Sequence, residues 1–331
     1  MNNMAFKVSV SCMTYNQSKY IEDTMNGFCM QKTDFPFVCT IVDDASTDDE
    51  QKIITTYLEN HFATTDTAVS YKKETEYAYI TFAQHKDNKN CYFVVLLLKE
   101  NLYQKGQNQK KVQYINEWRK NAPYTALCEG DDYWTDPHKL QMQVDFLDNN
   151  ADYTMCFHNA IEHWEDGHVD DRIFSNVENR DYTGPEIYQK WTIPTASVML
   201  RSNIFFTPYY LNLANNKSFC FGDILLFISC AHFGKLRGFE DCMSVYRRHS
   251  GGVTNHMTDS IVNRHDIEIY RIVGGDYREI ARHIVFHRTK SMLSRRHFSV
   301  IVVKHLIVCL FMNPLKFFKF FMCKHRIKND Y

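Results

Sequence analysis

The chain has 331 residues, of which 44% are hydrophobic, 23% charged and 15% aromatic, a globular composition that excludes a disordered or fibrous protein and leaves room for about two domains. Its formal charge of −1 hides an asymmetry: residues 281–331 carry 11 Lys and Arg against one acid, Asp330, while the first 280 residues balance to −11. An acidic body argues against a nucleic-acid binder, and the basic tail fits an anionic surface such as a membrane. In chain order, residues 6–13 alternate apolar and small polar side chains as a strand does, and Ile21, Met25 and Phe28 mark a helix from about Ser18. Residues 37–42 are a short apolar strand, after which Asp48 reads as the N-cap of a helix carrying Ile53, Ile54, Tyr57 and Leu58.

A strand near 68–72 precedes a hairpin of 77–84 and 91–98 joined by the polar turn 87–90. Val112, Ile115 and Trp118 mark a helix, 124–128 a buried strand, and Asp136-Pro137 the start of a helix with Leu140, Val144 and Leu147 on one face. The second half is less regular: a strand at 153–158, a polar loop over 160–182, a strand at 194–200, a helix at 223–232, a short strand at 242–246, and helices after Asp259. Strands alternating with helices predict βαβ units, a mostly parallel sheet, and a ligand crevice at the carboxyl ends of its strands.

Two acidic clusters fall where predicted strands end, Asp43-Asp44 and Glu129-Gly130-Asp131-Asp132. Three carboxylates within four residues repel one another unless they cap a solvated turn or hold a hard divalent cation. Their place at a βα crevice favours the cation, and Gly130 permits a tight turn. Farther on, Tyr246-Arg247-Arg248-His249-Ser250-Gly251-Gly252-Val253 sets paired arginines before a histidine and two glycines, which suits a loop closing on phosphate oxygens, with Arg247 a candidate donor.

These segments together resemble the family-2 glycosyltransferases of GT-A fold, bacterial polysaccharide type. Val8–Asn16 is similar to that family's first strand and nucleotide loop, and Ile41–Asp48 to its second-strand signature, with Ala45 where a glycine is usual. Glu129-Gly130-Asp131 stands at its Asp-x-Asp metal motif, with Glu for the first Asp, and Asp131-Asp132-Tyr133-Trp134 continues it. The resemblance covers roughly residues 6–253 and implies an α/β fold: a Rossmann-like, mostly parallel sheet flanked by helices, with a helical, basic C-terminal appendage. It divides the chain into a catalytic domain over 1–255, with a donor half at 1–150 and an acceptor half at 151–255, and an appendage over 256–331. It also implies inverting, metal-dependent transfer of a sugar from a nucleotide-diphosphate donor to a cell-surface glycan or lipid-linked acceptor.

By the same resemblance Thr14, Tyr15 and Asn16 border the nucleotide, Asp43 and Asp44 meet base or ribose, and Glu129, Gly130 and Asp131 hold the donor diphosphate. Asp131 and His249 would hold Mn²⁺ or Mg²⁺, and Asp223, which could equally be a plain helix N-cap, would be the general base. Lys105 and Thr195-Ala196-Ser197 are weaker candidates for the donor or acceptor border, while Trp118 and Trp191 read as core.

The 11 cysteines are scattered singly, without CxxC or zinc-site spacing, which reads as buried thiols in a reducing compartment. No secretory signal is predicted. The apolar segments 298–311 and 315–322 are broken by Lys304, His305, Pro314, Lys316 and Lys319 and fall short of the roughly 18–20 residues needed to cross a bilayer. Phe317, Phe318 and Phe321 share a predicted helix face that would either lie in a bilayer interface or pack on the catalytic domain. The expected location is the cytoplasm, peripheral on the inner face of the membrane. Two other readings stay open: a nucleotidylyltransferase of sugar metabolism, disfavoured by the absence of glycine from 14–19, and a non-catalytic, membrane-tethered scaffold.

Overall fold

The computed structural model describes residues 5–252, 257–294 and 300–322. Val253, residues 298–299 and Cys323 of the segments above lie outside the described residues. Described strands β1 (Val8–Thr14), β2 (Phe37–Asp43), β3 (Ser70–Glu74), β4 (Ala78–Gln84), β5 (Cys91–Leu98) and β6 (Tyr124–Leu127) come from the first half. The rest are β7 (Tyr133–Trp134), β8 (Tyr153–Trp164), β9 (Arg172–Ile173), β10 (Asp181–Tyr182), β11 (Met199–Arg201) and β12 (Lys235–Arg248). They form one sheet in the order β10-β12-β8-β11-β6-β1-β2-β5-β4-β3, with β7 paired to β12 and β9 to β8.

The α/β class is as expected. Strands β6, β1, β2 and β5 are parallel neighbours, and β8 and β12 are a second parallel pair. The other pairings are antiparallel, so the sheet is mixed rather than mostly parallel. The parallel block is covered on both faces, which is why its strands read as nearly continuous apolar runs. Alternate residues of β2 face opposite cores: Phe37, Cys39 and Ile41 join Ile21, Met25 and Phe28, while Val38 and Val42 join Leu96, Leu102 and Ile115.

The described helices are α1 (Ile21–Cys29), α2 (Glu50–His61), α3 (Asn108–Arg119), α4 (Lys139–Asn149), α5 (Gly184–Lys190), α6 (Pro208–Ala214), α7 (Gly222–Phe233), α8 (Asp259–Glu268), α9 (Tyr277–Ser294), α10 (Val300–Met312) and α11 (Pro314–Met322). Helix starts differ slightly from the predicted ones. α2 begins after Asp49, and the Asp48 carboxylate instead joins two loops by accepting from Ser18 N (3.1 Å) and Glu50 N (3.1 Å). α4 begins two residues after Pro137, with Asp136 accepting from His138 N at 2.7 Å.

The largest departures are in the second half. The predicted loop over 160–182 contains the end of β8, β9 and β10, and 194–200 is a 3₁₀ turn leading into the three-residue β11. The short strand expected at 242–246 is the end of the 14-residue β12. Ile269, just after α8, and Ala281 of α9 join the core of Leu225, Phe227 and Ile228. Phe317 and Phe321 turn inward onto Val285 and Phe286, whereas Phe318, predicted on the same face, is exposed. All described cysteines are unpaired.

One buried cation anchors the turn after β6. Trp134 lies against Phe28, and its indole N–H donates to Ala196 O at 2.8 Å. Gly27 makes room for this, since a Cβ there would stand 2.9 Å from Trp134 N. Lys139 Nζ sits 4.2 Å from the Trp134 ring centre and donates to Gln143 Oε1 at 2.8 Å. Burial pulls this ammonium down to about 7. Below that pH both folded and unfolded chains carry the charge and the full cost of burying it persists. Between about 7 and the ordinary lysine value, the unfolded chain binds the extra proton, so stability rises with pH. Lys139→Met is therefore expected to gain stability over wild type at pH 6.5 and to lose that advantage progressively toward pH 10, as read by denaturant unfolding at several pH values. A pH-independent difference would contradict the burial assignment.

Candidate active site

Strands β1 and β2 end together at Thr14 and Asp43, β6 ends beside them opposite Ser11, and the crevice expected at such strand ends is present. Glu129–Asp132 follow β6 directly. The pairing of β7 with β12 places Tyr133 against Val245 and Trp134 against Ser244, which carries Arg247 and His249 to the acidic turn. Helix α7 brings Asp223 to the same place from the opposite side. A cleft of about 360 Å³ is lined by Glu129, Asp131, Asp223, His249 and Trp191, among others.

Gly130 is required by its own chain: a Cβ there would stand 2.2 Å from Thr14 Oγ1 and 2.5 Å from Thr14 Cβ. Thr24 Oγ1 fixes the turn by donating to Asp132 O (2.7 Å) and Gly130 O (3.0 Å). Asp132 is buried and accepts from Arg247 N at 2.9 Å; burial, then the charges of Asp131 and Glu129, raise its carboxyl well above the usual range. Glu129 is exposed toward the cleft. Lost solvation, then the charges of Asp131 and Asp223, raise its carboxyl above the usual range. Asp223 is half-buried at the start of α7, and lost solvation raises its carboxyl too.

Asp131 Oδ2 lies 2.9 Å from His249 Nε2 and 3.4 Å from Gln17 Nε2. The His249 ring rests on Tyr20, with centroids 4.9 Å apart. Among the described residues no group of three or more His, Cys, Asp or Glu is placed to hold an ion alone. Asp131 and His249 nevertheless supply one carboxylate and one imidazole at hydrogen-bond separation, which fits an ion whose remaining ligands are phosphate oxygens and water.

Arg247 is engaged on every side. Its guanidinium donates to Glu165 Oε1 (2.5 Å), Asp23 Oδ2 (2.8 Å) and Asp131 O (2.8 Å), and it lies 4.8 Å from the Tyr20 and Tyr133 ring centres. Placed so, it holds the acidic turn instead of reaching freely for phosphate. Arg248 pairs with the buried Glu162 at 2.8 Å.

The nucleotide-loop candidates meet in a second knot. Asn16 N donates to Ser46 Oγ at 2.8 Å, and Thr47 N to Asn16 Oδ1 at 2.7 Å. Asn16 (φ +55°) and Ala45 (φ +60°) both take left-handed backbone, so Ala45 occupies a conformation that favours the glycine usual there. Asp44 has both oxygens committed: Leu102 N (2.9 Å), Tyr103 N (3.1 Å) and Lys111 Nζ (2.7 Å) donate to it. It thereby clamps the 99–107 loop. Asp43 keeps one oxygen on Ser46 N and Gln51 Nε2, while its buried Oδ2 has no partner. Tyr15 is half-buried beside this knot.

Sequence reasoning missed three contributors. The buried Glu50 accepts from Thr14 Oγ1, Gln17 N and Ser46 Oγ, tying β1 to α2; an acid in the first turn of α2 was its only signal. His265 of α8 accepts from Cys220 N at 3.2 Å and sets the loop ahead of Asp223; burial lowers it to about 4, so its acceptor nitrogen stays unprotonated. Trp191, expected in the core, is 39% exposed with φ +46° and lines the cleft. Thr195 also lines it, whereas Lys105 pairs with Glu100 on the surface.

No family model matches the chain. The uncharacterized proteins Mb1547 of Mycobacterium bovis and Rv1520 of Mycobacterium tuberculosis are each 31% identical to it over 246 residues, 74% of this chain and 60% of theirs. The chain thus spans 60% of the length of the curated relatives it matches. Among solved structures it is similar to S. aureus TarS, with TM-score 0.55 and 16% identity over 95% of this chain and 50% of that one. It is also similar to TarS 1–349 in complex with UDP (0.50, 14%, 97% and 76%). A third is the mannosyltransferase PcManGT from Pyrobaculum calidifontis in complex with GDP-Man and Mn²⁺ (0.51, 12%, 92% and 75%). At these identities the likeness is one of fold: the chain has the architecture of TarS and of a mannosyltransferase.

Proposed function

We propose that the chain is an inverting glycosyltransferase that moves a sugar from a nucleoside-diphosphate donor to a hydroxyl of a cell-surface glycan or lipid-linked acceptor. The observation that carries this reading is the convergence of Glu129, Asp131, Asp223 and His249, from three separate parts of the chain, in one cleft at the carboxyl ends of a parallel block. The UDP bound to TarS and the GDP-Man and Mn²⁺ bound to PcManGT support it.

In this reading the knot of Thr14, Tyr15, Asn16 and Asp43 receives the nucleoside, and the turn Glu129–Asp131 receives the diphosphate. Asp131 and His249 would hold Mn²⁺ or Mg²⁺, which when bound stabilises the negative charge developing on the leaving diphosphate. Asp223 takes the proton of the acceptor hydroxyl as its oxygen bonds to the sugar's anomeric carbon. The bond from that carbon to the diphosphate breaks, its electron pair leaving with the nucleoside diphosphate. The carboxyl of Asp223, raised by lost solvation, is the better base for it. Arg247 and His265 act at one remove, by fixing the acidic turn and the start of α7.

Asp131→Asn is expected to weaken Mn²⁺-dependent binding of UDP or GDP by at least about tenfold, measured by calorimetry with and without the ion. Equal affinity in wild type and variant would remove Asp131 from the metal site. Asp223→Asn is expected to lower transfer by about 10²–10⁴-fold while leaving donor affinity unchanged. Transfer retained at saturating donor, with donor affinity lost, would instead make Asp223 a donor ligand.

A further inference from the structure

The last two helices carry apolar side chains on a face turned away from the protein. In α10, Val302, His305 and Cys309 are buried. On the other side Val300, Val303, Ile307 and Phe311 follow at intervals of three or four residues, and Leu315 and Phe318 of α11 extend the row. Phe311 is 81% and Leu315 86% exposed. A helix apolar nearly all round belongs in an apolar medium on both sides, and a row of large exposed apolar residues marks an interaction surface.

Charge indicates what covers it. Lys304 and Lys319 are exposed beside the row, Lys316 shares Glu279 at 2.7 Å, and the chain has no acid from 281 to 329. A second copy of the same surface would bring like charges together; an anionic lipid surface would neutralise them. Length indicates how. Thirteen residues of α10 rise only about 20 Å, short of a hydrocarbon core of about 30 Å, and no described helix is long and apolar enough to cross a membrane.

We propose that the outer face of α10 and α11 is a membrane-docking surface. Val300, Val303, Ile307, Phe311, Leu315 and Phe318 seat in the acyl boundary of an anionic leaflet, with Lys304 and Lys319 at its headgroups. Phe317 and Phe321, the other aromatics of α11, serve instead to fasten the helix to α9. This surface stands independently of the chemistry assigned to the cleft.

The test is co-sedimentation of the full-length chain with phosphatidylcholine vesicles, with and without phosphatidylglycerol, at rising salt. Wild type is expected to bind the anionic vesicles more tightly by about tenfold, and salt to erase the difference. A Phe311→Ser, Leu315→Ser, Phe318→Ser variant with an unchanged melting temperature is expected to lose binding to both. Lys304→Glu with Lys319→Glu should lose only the preference for anionic vesicles, and keeps the proposal testable if the triple variant fails to fold. Wild type that stays unbound at low salt overturns the proposal, as does a folded triple variant that binds like wild type. Light scattering that finds a concentration-dependent dimer, without vesicle binding, would assign the face to a second copy and also overturn it.

Discussion

Carboxylates crowded at the end of β6 are the constraint around which the rest of the site is arranged. Glu129, Asp131 and Asp132 occupy four consecutive positions with Gly130, and Asp223 adds its field from α7. Such a turn costs stability unless protons, cations or fixed dipoles offset it. The protein supplies part of the offset through β12: Arg247 donates its backbone amide to Asp132 and its side chain to Asp131 O, and His249 meets Asp131. What the protein does not neutralise is what a metal–diphosphate pair would complete.

The first half of the fold was legible because β1, β2, β5 and β6 are buried on both faces and its helices carry regular apolar spacing. The elements expected there start within about three residues of the predicted positions, and the two-residue β7 is the one strand not foreseen. The second half was not legible for a physical reason. Strands of two or three residues, such as β9, β10 and β11, are too short for a period-two pattern to register. They exist because β8 and β12 offer them paired edges, far along the chain for β10 and β11 and about a dozen positions away for β9.

The candidate site divides in the same way. Residue types at a strand end identified the acidic turn, and the family resemblance pointed to Asp223 and His249; the fold brings them together. Sequence could not show which members are already spent on the protein itself. Arg247 looked free for phosphate, yet one of its partners, Asp23, lies 224 positions away. Asp44 matched a signature, yet Lys111, 67 positions on, closes its carboxylate. Trp191 sat among apolar neighbours in sequence, but the left-handed residue that ends α5 turns its indole to the cleft.

In the proposed function a sugar leaves a nucleoside diphosphate in the cleft, and the phosphorus chemistry of the products tests this most directly. Full-length protein incubated with Mn²⁺ and a panel of UDP- and GDP-sugars, with water standing in as acceptor, can be followed by ³¹P NMR. The predicted result is slow accumulation of UDP or GDP from at least one donor as the sole new phosphorus species. Release of pyrophosphate or nucleoside monophosphate, or complete inertness toward every donor, would contradict it.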